Sequence, residues 1–182
     1  MVHYQPEIEK KYDFIQTGAV TADMQFEKLL REFTTGKMKE HNFLILGRTD
    51  EKLLRKFSGY TNIVFHPPVE QQEVPRYLSQ ARFAINFKPD TAPYNFQSST
   101  KLLEYLNFKI PVISSNNQWI RDFKKNSGAG FYLLENDLSN FTMKEITEYE
   151  YIFPDMEPYY WNKQIEQSGL IEIIENFRKK KG

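Results

Sequence analysis

The sequence contains no cysteine among its 182 residues, which excludes disulfide bonds and metal sites built from thiolates. It also lacks an excess of charge of either sign, because 24 lysines and arginines balance 24 aspartates and glutamates. A net charge of zero provides no broad basic field for nucleic acid or an anionic membrane, so any anion site must be local. His3, His41 and His66 show no metal-ligand spacing, and we predict no metal site.

Long apolar runs are also missing. No stretch approaches the ~20 residues that span a membrane, and the opening segment MVHYQPEIEKKY has no apolar core of a signal peptide. These absences favour a cytoplasmic protein without a transmembrane segment, which would reach the inner membrane face only through a partner. The length is that of one ordinary domain, so we expect residues 1–182 to fold as a single unit.

Short apolar runs alternate with helical patterns along most of the chain. This alternation predicts an α/β fold, a Rossmann-like open parallel sheet of about six strands with helices on both faces. Residues 141–182 contain only helical patterns, around 143–151 and 159–177, and we expect them to close over the sheet as C-terminal helices. The predicted strands are 12–18, 41–47, 61–67, 81–87, 110–115 and 130–135, and the predicted helices between them are 26–36, 50–57, 74–81, 99–108 and 119–125.

Ligands of open α/β sheets bind beyond the carboxyl ends of the strands. The turns after Gly18, Gly47 and His66 and the loop 88–99 should therefore share one rim. The loop, KPDTAPYNFQSS, is longer than the usual connection of about 2–6 residues, which makes it a candidate functional loop. Familiar nucleotide signatures are absent at this rim, because the first turn, TGAVTAD, has a single glycine and the chain has no P-loop.

The helix predicted at 99–108 begins with an unusual cation. Ser98, Ser99 and Thr100 are typical capping residues, but Lys101 lies in the first turn, where the helix dipole is already positive. A further positive charge there costs a few tenths to ~1 kcal/mol. A bound phosphate would make the charge favourable, because free amides, hydroxyls and the ammonium could converge on it.

Glu104 follows Lys101 on the same side of this helix, away from the apolar Leu102 and Leu106. A carboxylate one turn below a phosphate site is well placed to accept two ribose hydroxyls. The alternative is an exposed Lys101–Glu104 ion pair worth a few tenths of a kcal/mol. The pattern alone leaves both interpretations open.

The segment SSTKLLEYLNFKIPVISS resembles the S-S-x-K-L-x-[EQ]-Y-x-x-x-x-x-P-V segment in the C-terminal, donor-binding half of GT-B fold glycosyltransferases. It is most similar to bacterial exopolysaccharide glucuronosyltransferases and group 1 glycosyltransferases. TNIVFHPPVEQQEVPRYLSQARFAINF is similar to the family's N-V-x-F-x-G-x-V segment with its following helix and strand, and DFIQTGAV resembles its opening strand and glycine turn. YYWNKQIEQ looks like its terminal helix, so the similarity covers nearly the whole chain in order.

The resemblance implies a glycosyltransferase of polysaccharide biosynthesis that uses a nucleoside-diphosphate sugar, with a UDP-sugar favoured, and no other cofactor. It implies that Lys101 and the helix start, with the hydroxyls of Ser98, Ser99 and Thr100, contact the donor's diphosphate. Glu104 would bind the ribose hydroxyls. The partners would be the nucleotide-sugar donor and a glycan or lipid-linked acceptor, and no nucleic acid.

Further positions follow from the same resemblance. Gly18 belongs to the opening turn of the site, the turn from His66 to Val69 would line the base, and Tyr94 would pack near the nucleotide or sugar. Arg48 is the nearest spare cation at the rim. Ordinary loop packing of His66 and Tyr94, and a solvent-facing Arg48, are the open alternatives.

The chain also departs from the family pattern. Many retaining members carry a glutamate eight positions before the helix glutamate, where this sequence has Phe96, and Asp90 lies too far upstream to replace it. The basic residues that often follow the first glycine turn are missing after Gly18. The acceptor half does not fit in this length, which leaves a donor-binding domain with a missing N-terminal domain or partner subunit. The alternatives are a non-catalytic nucleotide-sugar-binding or interaction module, and a flavodoxin-like domain that binds another phosphorylated ligand.

Overall fold

Six parallel strands form one open sheet in the computed structural model, which describes residues 9–21 and 25–179. The strands are β1 (Tyr12–Thr17), β2 (Phe43–Leu46), β3 (Ile63–His66), β4 (Ala81–Asn86), β5 (Val112–Ser115) and β6 (Tyr132–Leu134). Their order across the sheet is β3-β2-β1-β4-β5-β6, and each neighbouring pair is parallel. This confirms the predicted Rossmann-like fold, with the strand order reversing between β1 and β4.

Helices connect the strands and continue beyond the last one. Every strand and helix predicted before residue 135 is present, with ends that differ by one or two residues. The helices are α1 (Phe26–Thr34), α2 (Glu51–Phe57), α3 (Val74–Ser79), α4 (Thr100–Asn107), α5 (Gln118–Ser127), α6 (Met143–Glu148), α7 (Trp161–Gln167) and α8 (Leu170–Lys179).

The sheet is buried on both faces, which explains why its strands are nearly continuous apolar runs in the sequence. Successive side chains of β1 enter opposite cores: Phe14 packs with Phe33 of α1, at 5.3 Å between ring centroids, whereas Ile15 packs on the other side. The first core is covered by α1, α2 and α6. The second core is covered by α3, α4 and α5.

The two helices nearest the centre of the sheet leave it on opposite faces. The apolar positions Phe26 and Phe33 of α1 belong to the first core, whereas Leu102 and Leu106 of α4 belong to the second. Because β1 and β4 are adjacent, their carboxyl ends border a crevice at the point where the strand order reverses. The fold therefore places the predicted rim beside the start of α4.

The C-terminal helices differ from the prediction. The helical pattern at 159–177 is interrupted at Gly169, which has a φ of +69° and ends α7 in the left-handed conformation that favours glycine. Ile146 of α6 is fully buried, but the apolar side chains of α8 are between 44% and 65% exposed. The prediction that the last helices close over the sheet is therefore wrong for α8. Within the described ranges, no helix is long and apolar enough to cross a membrane.

Candidate functional site

The turns that follow β1, β2 and β3 are hydrogen-bonded to one another. The Gly18 amide donates to the carbonyl of Leu46 at 2.8 Å, and the Gly47 amide donates to the carbonyl of His66 at 2.9 Å. These bonds extend the ladder of the sheet beyond the strands and bring the three turns to one rim, as the sequence predicts.

Two close approaches explain the glycines at this rim. Gly18 has a φ of +77°, and a Cβ atom there would lie 2.9 Å from Cε of Lys101. Gly47 has a φ of +143°, and a Cβ atom there would lie 2.5 Å from the Gly18 carbonyl oxygen. Any other residue would combine backbone strain with a clash. The absence of a side chain at Gly18 therefore lets the Lys101 stem cross the first turn.

Buried side chains hold the start of α4 against the ends of β4 and β5. The Ser99 hydroxyl accepts a hydrogen bond from the Leu102 amide at 3.3 Å, which caps the helix, and donates to Oδ1 of Asn86 at 2.7 Å. Asn86 donates in turn to the Ser114 hydroxyl at 2.9 Å. Ser99 is 1% exposed, so its hydroxyl positions the helix instead of facing a ligand, which corrects the prediction for this residue. Ser98 and Thr100, on either side, are exposed.

Tyr105 and Asn86 were not among the predicted site residues. The Tyr105 hydroxyl lies 2.8 Å from the Thr17 amide, which donates to it, and 3.0 Å from the Thr17 hydroxyl. Complete burial raises the pKa of the Tyr105 phenol, which therefore stays neutral. The sequence does contain signals for these two residues: Tyr105 lies on the apolar side of a helix, and Asn86 ends an apolar strand. Their hydrogen-bond partners could not be predicted, because they lie far away in the sequence.

The Lys101 ammonium lies over the first turn of the rim. It donates to the Ala19 carbonyl at 3.3 Å. With the Gln16 amide oriented so that its nitrogen donates to the Ile85 carbonyl, the Gln16 oxygen accepts from Lys101 Nζ at 2.7 Å. All of these acceptors are uncharged, and no carboxylate of the described residues forms an ion pair with Lys101.

Burial, and to a smaller extent repulsion by Lys88, lower the pKa of Lys101 to about 8, although the charge of Glu104 partly opposes both effects. A free lysine side chain titrates near 10.5. The folded protein therefore disfavours the charged form of Lys101 when no anion is bound. An anion next to this ammonium would reverse the preference, which is the electrostatic behaviour expected of an anion site.

Glu104 lies beside Lys101 without forming an ion pair with it. Its carboxylate accepts from Nε2 of Gln71, the first residue of a short 3₁₀ turn after β3, at 2.9 Å. Burial raises the pKa of Glu104, and the Gln71 hydrogen bond and the Lys101 charge oppose that shift. The exposed ion pair considered as an alternative from the sequence is therefore not formed.

The His66 ring is engaged within its own segment. Its Nδ1 atom lies 2.8 Å from the Pro67 carbonyl oxygen, and its Nε2 atom lies 3.1 Å from the Tyr77 hydroxyl. Because both nitrogens are occupied, loop packing accounts for this side chain. Val69 is half-buried against the second core.

The remaining predicted positions surround the rim. Arg48 is exposed, and its backbone carbonyl accepts from the Val20 amide at 2.8 Å. Tyr94 is half-buried at the start of a 3₁₀ turn, Tyr94–Phe96, in the long loop. Phe96, which occupies the position of the family's additional glutamate, is 70% exposed.

Three cavities lie close to this rim. Two of them, of about 560 Å³ and 490 Å³, adjoin each other beside α4 and share Thr100, Leu103, Tyr159 and Trp161 as lining residues. The third, of about 310 Å³, lies at the ends of β4, β5 and β6 and is lined in part by Lys88. The start of α4 thus borders open space through Thr100, which lines both of the larger cavities.

A doubly covered parallel sheet with a crevice between β1 and β4 defines a Rossmann-like α/β domain. The chain belongs to the family described as glycosyl transferases group 1, whose family model matches residues 12–147. This confirms the family predicted from the sequence. No curated protein sequence shows a significant match.

Solved structures of glycosyltransferases share the fold. AviGT4, involved in avilamycin A biosynthesis, matches with a TM-score of 0.60 and 12% identity over 80% of this chain and 44% of its own. HepE from Anabaena, solved with UDP and glucose, matches with a TM-score of 0.56 and 10% identity over 75% and 39%. The C-terminal domain of LpcC from Francisella tularensis matches with a TM-score of 0.50 and 15% identity over 74% and 73%. The chain therefore spans less than half the length of AviGT4 and HepE.

Proposed function

We propose that this chain is the donor-binding domain of a cytoplasmic glycosyltransferase and that it binds a nucleoside-diphosphate sugar, with a UDP-sugar favoured. The observation that carries the proposal is the position of Lys101, an ammonium held by uncharged acceptors at the start of a helix on the carboxyl rim. HepE, which shares the fold, was solved with UDP, and this supports a uridine nucleotide as the first ligand to test.

The proposed chemistry is electrostatic stabilisation of a leaving group. When the bond between the anomeric carbon and the diphosphate oxygen breaks, negative charge develops on the diphosphate. The free amides at the start of α4 and the Lys101 ammonium are fixed in place before that charge appears, so they stabilise it without reorganisation. The acceptor, a glycan or a lipid-linked sugar, would be supplied by an N-terminal domain or a partner subunit.

Glu104 has the second role in this proposal. Its carboxylate is held by Gln71 and retains acceptor capacity for the ribose hydroxyls. Gln71 follows β3, so the ribose and base would lie towards the β3 edge of the rim. The turn from His66 to Val69 is at this edge and would flank the base.

Calorimetric titration with UDP and GDP tests the donor proposal. We expect Lys101→Met to weaken UDP binding by about tenfold or more, because a charged hydrogen bond contributes ~1.5–3 kcal/mol. Lys125→Met, which removes an exposed lysine in the last turn of α5, is the matched control and should bind as the unmodified protein does. Unchanged affinity in Lys101→Met would remove Lys101 from the site.

A non-catalytic nucleotide-sugar-binding module is the second candidate. It is favoured by Phe96, an exposed apolar side chain at the position where many retaining members of the family have a glutamate. Release of UDP from a UDP-sugar, measured with the chain and an acceptor-binding partner together, separates the two candidates. Binding without turnover would favour the module, whereas binding of a simple sugar phosphate in place of any nucleotide would favour a different phosphorylated ligand.

A further inference from the structure

A second lysine, Lys88, lies at the same rim, and it forms no ion pair with any residue that the structure describes. Lys88 follows β4, and its amide donates to the Ser115 hydroxyl at 2.7 Å. The neighbouring side chains, Phe87 and Pro89, are buried, so the backbone that carries Lys88 is held on both sides. The lysine side chain is itself half-buried. A well-anchored, partly buried cation of this kind is unlike a solvated surface lysine.

The charge of Lys88 disfavours the charged form of Lys101. Burial lowers the pKa of Lys88, and the Lys88 charge contributes to the lowered pKa of Lys101. Asp90 and Glu135 line the same cavity as Lys88, yet across residues 9–21 and 25–179 neither forms an ion pair with it. The charge of Glu104 raises the pKa of Lys101, and it has no such effect on Lys88. Among the described residues, these two partly desolvated cations at one rim form no ion pair with a carboxylate, and a multiply charged anion would relieve their repulsion.

The position of Lys88 along the rim indicates which part of an anion it would reach. Lys101 contacts the turn after β1, Glu104 is held by Gln71 after β3, and Lys88 is anchored to Ser115 at the end of β5. Because β1 lies between β3 and β5 in the sheet, Glu104 and Lys88 are on opposite sides of Lys101. A nucleotide with its ribose at Glu104 would extend past Lys101 towards Lys88.

Space for the end of such a ligand is present. Lys88 is one of the residues that line the cavity of about 310 Å³. Its walls beyond Lys88 include hydroxyl and amide side chains that can both donate and accept hydrogen bonds, among them Thr91, Ser115 and Asn116. Room for a second phosphate, and for the sugar attached to it, therefore lies beside Lys88.

We propose that Lys88 binds the sugar-linked phosphate of the donor, so that the rim selects a nucleoside diphosphate over a nucleoside monophosphate. This proposal rests on the proposed function, because it takes the nucleotide to lie at Lys101 and Glu104. It adds a second phosphate-binding residue on the opposite side of Lys101, in a loop that does not belong to α4.

Titration of the full chain with UMP and with UDP tests the proposal. In the unmodified protein we expect UDP to bind at least about tenfold more tightly than UMP, since a charged hydrogen bond to the second phosphate is worth about that factor. Lys88→Met should weaken the binding of UDP about tenfold and the binding of UMP less than about twofold, whereas Lys101→Met should weaken the binding of both nucleotides. Lys125→Met is the control and should leave both affinities unchanged.

Thermal unfolding without ligand provides a second measurement on the same variants. Lys88→Met keeps an apolar stem of similar length and removes one of the two repelling charges, so it should melt at or above the temperature of the unmodified protein. A lower melting temperature would show that the charge is already compensated, and would overturn the proposal. A ratio of UDP to UMP affinity that Lys88→Met leaves unchanged overturns the role of Lys88 alone, whereas failure of the unmodified protein to bind either nucleotide overturns the proposed function as well.

Discussion

The Lys101 ammonium donates to uncharged acceptors, and the positive charge of Lys88 repels it. Its contacts, the Gln16 amide and the Ala19 carbonyl, satisfy hydrogen bonds without neutralising the charge. The charge of Glu104 partly opposes the lowering of the Lys101 pKa by burial and by Lys88. Lys101 is thus a half-buried residue that carries a charge. A bound anion would stabilise a lysine placed in this way.

The lowered pKa of Lys101 predicts a pH dependence of UDP binding. Below about pH 8 Lys101 is charged in both free and bound protein, so affinity should be constant. Above about pH 8 the free protein loses the proton while the bound anion holds it, and affinity should fall by up to tenfold per pH unit. Titrations between about pH 7 and 9.5 measure this change. Lys88, whose pKa is also lowered, would steepen it. Lys101→Met should largely flatten the profile; a flat profile in the unmodified protein would contradict the prediction.

At the scale of elements, α4 is attached to the sheet at two points. Ser99 bonds to Asn86 at the end of β4, and Tyr105, two turns further on, bonds to Thr17 at the end of β1. These bonds fix both the height and the rotation of α4 relative to the crevice. The turn after β1 completes the arrangement, because Gly18 leaves room for the Lys101 stem.

Gly18→Ala tests the contact between that turn and α4. The new methyl group would displace Lys101, and the positive φ adds strain of roughly 1 kcal/mol. Gly128→Ala is the matched control, since Gly128 has a similar φ of +69° but no atom within 4 Å of the added carbon. Both variants should lose roughly 1 kcal/mol of stability in urea unfolding, and only Gly18→Ala should weaken UDP binding. Equal UDP affinities in the two variants would show that the position of Lys101 is unimportant.

At the scale of the whole molecule, the two cores support the rim while the last helix remains outside them. The first core includes α6 through Ile146, and the second includes Met156 from the segment before α7. The apolar residues of α8 face outward, and Ile174 is 44% exposed. The stability of the domain should therefore depend on residues up to Met156 far more than on α8.

Two isoleucine substitutions test this division. Ile146→Ala creates a cavity in the first core and should cost about 2–4 kcal/mol in urea unfolding. Ile174→Ala removes the same atoms from an exposed site and should cost less than about 1 kcal/mol. Comparable losses in the two variants would mean that the α8 face is covered in solution.

Most of the fold could be predicted because its signals are local. Alternation of short apolar runs with helical patterns is enough to infer parallel strands, and helix starts and glycine turns then mark the rim. The break at Gly169 was missed because a single glycine inside a helical pattern is often tolerated. The exposure of α8 was missed because an amphipathic pattern specifies an apolar face without specifying its partner.

The sequence by itself determined that this chain is an α/β domain with a lysine at a helix start on the carboxyl rim of the sheet, because each of these properties depends on residues within a few positions of one another. Only the tertiary structure decided which hydrogen-bond partners the polar side chains of this rim have. Ser99 turned inward to Asn86, the His66 ring bonded to Tyr77, and Lys88 came to act on Lys101, because such pairings arise when segments distant in the chain are packed at one edge of the sheet.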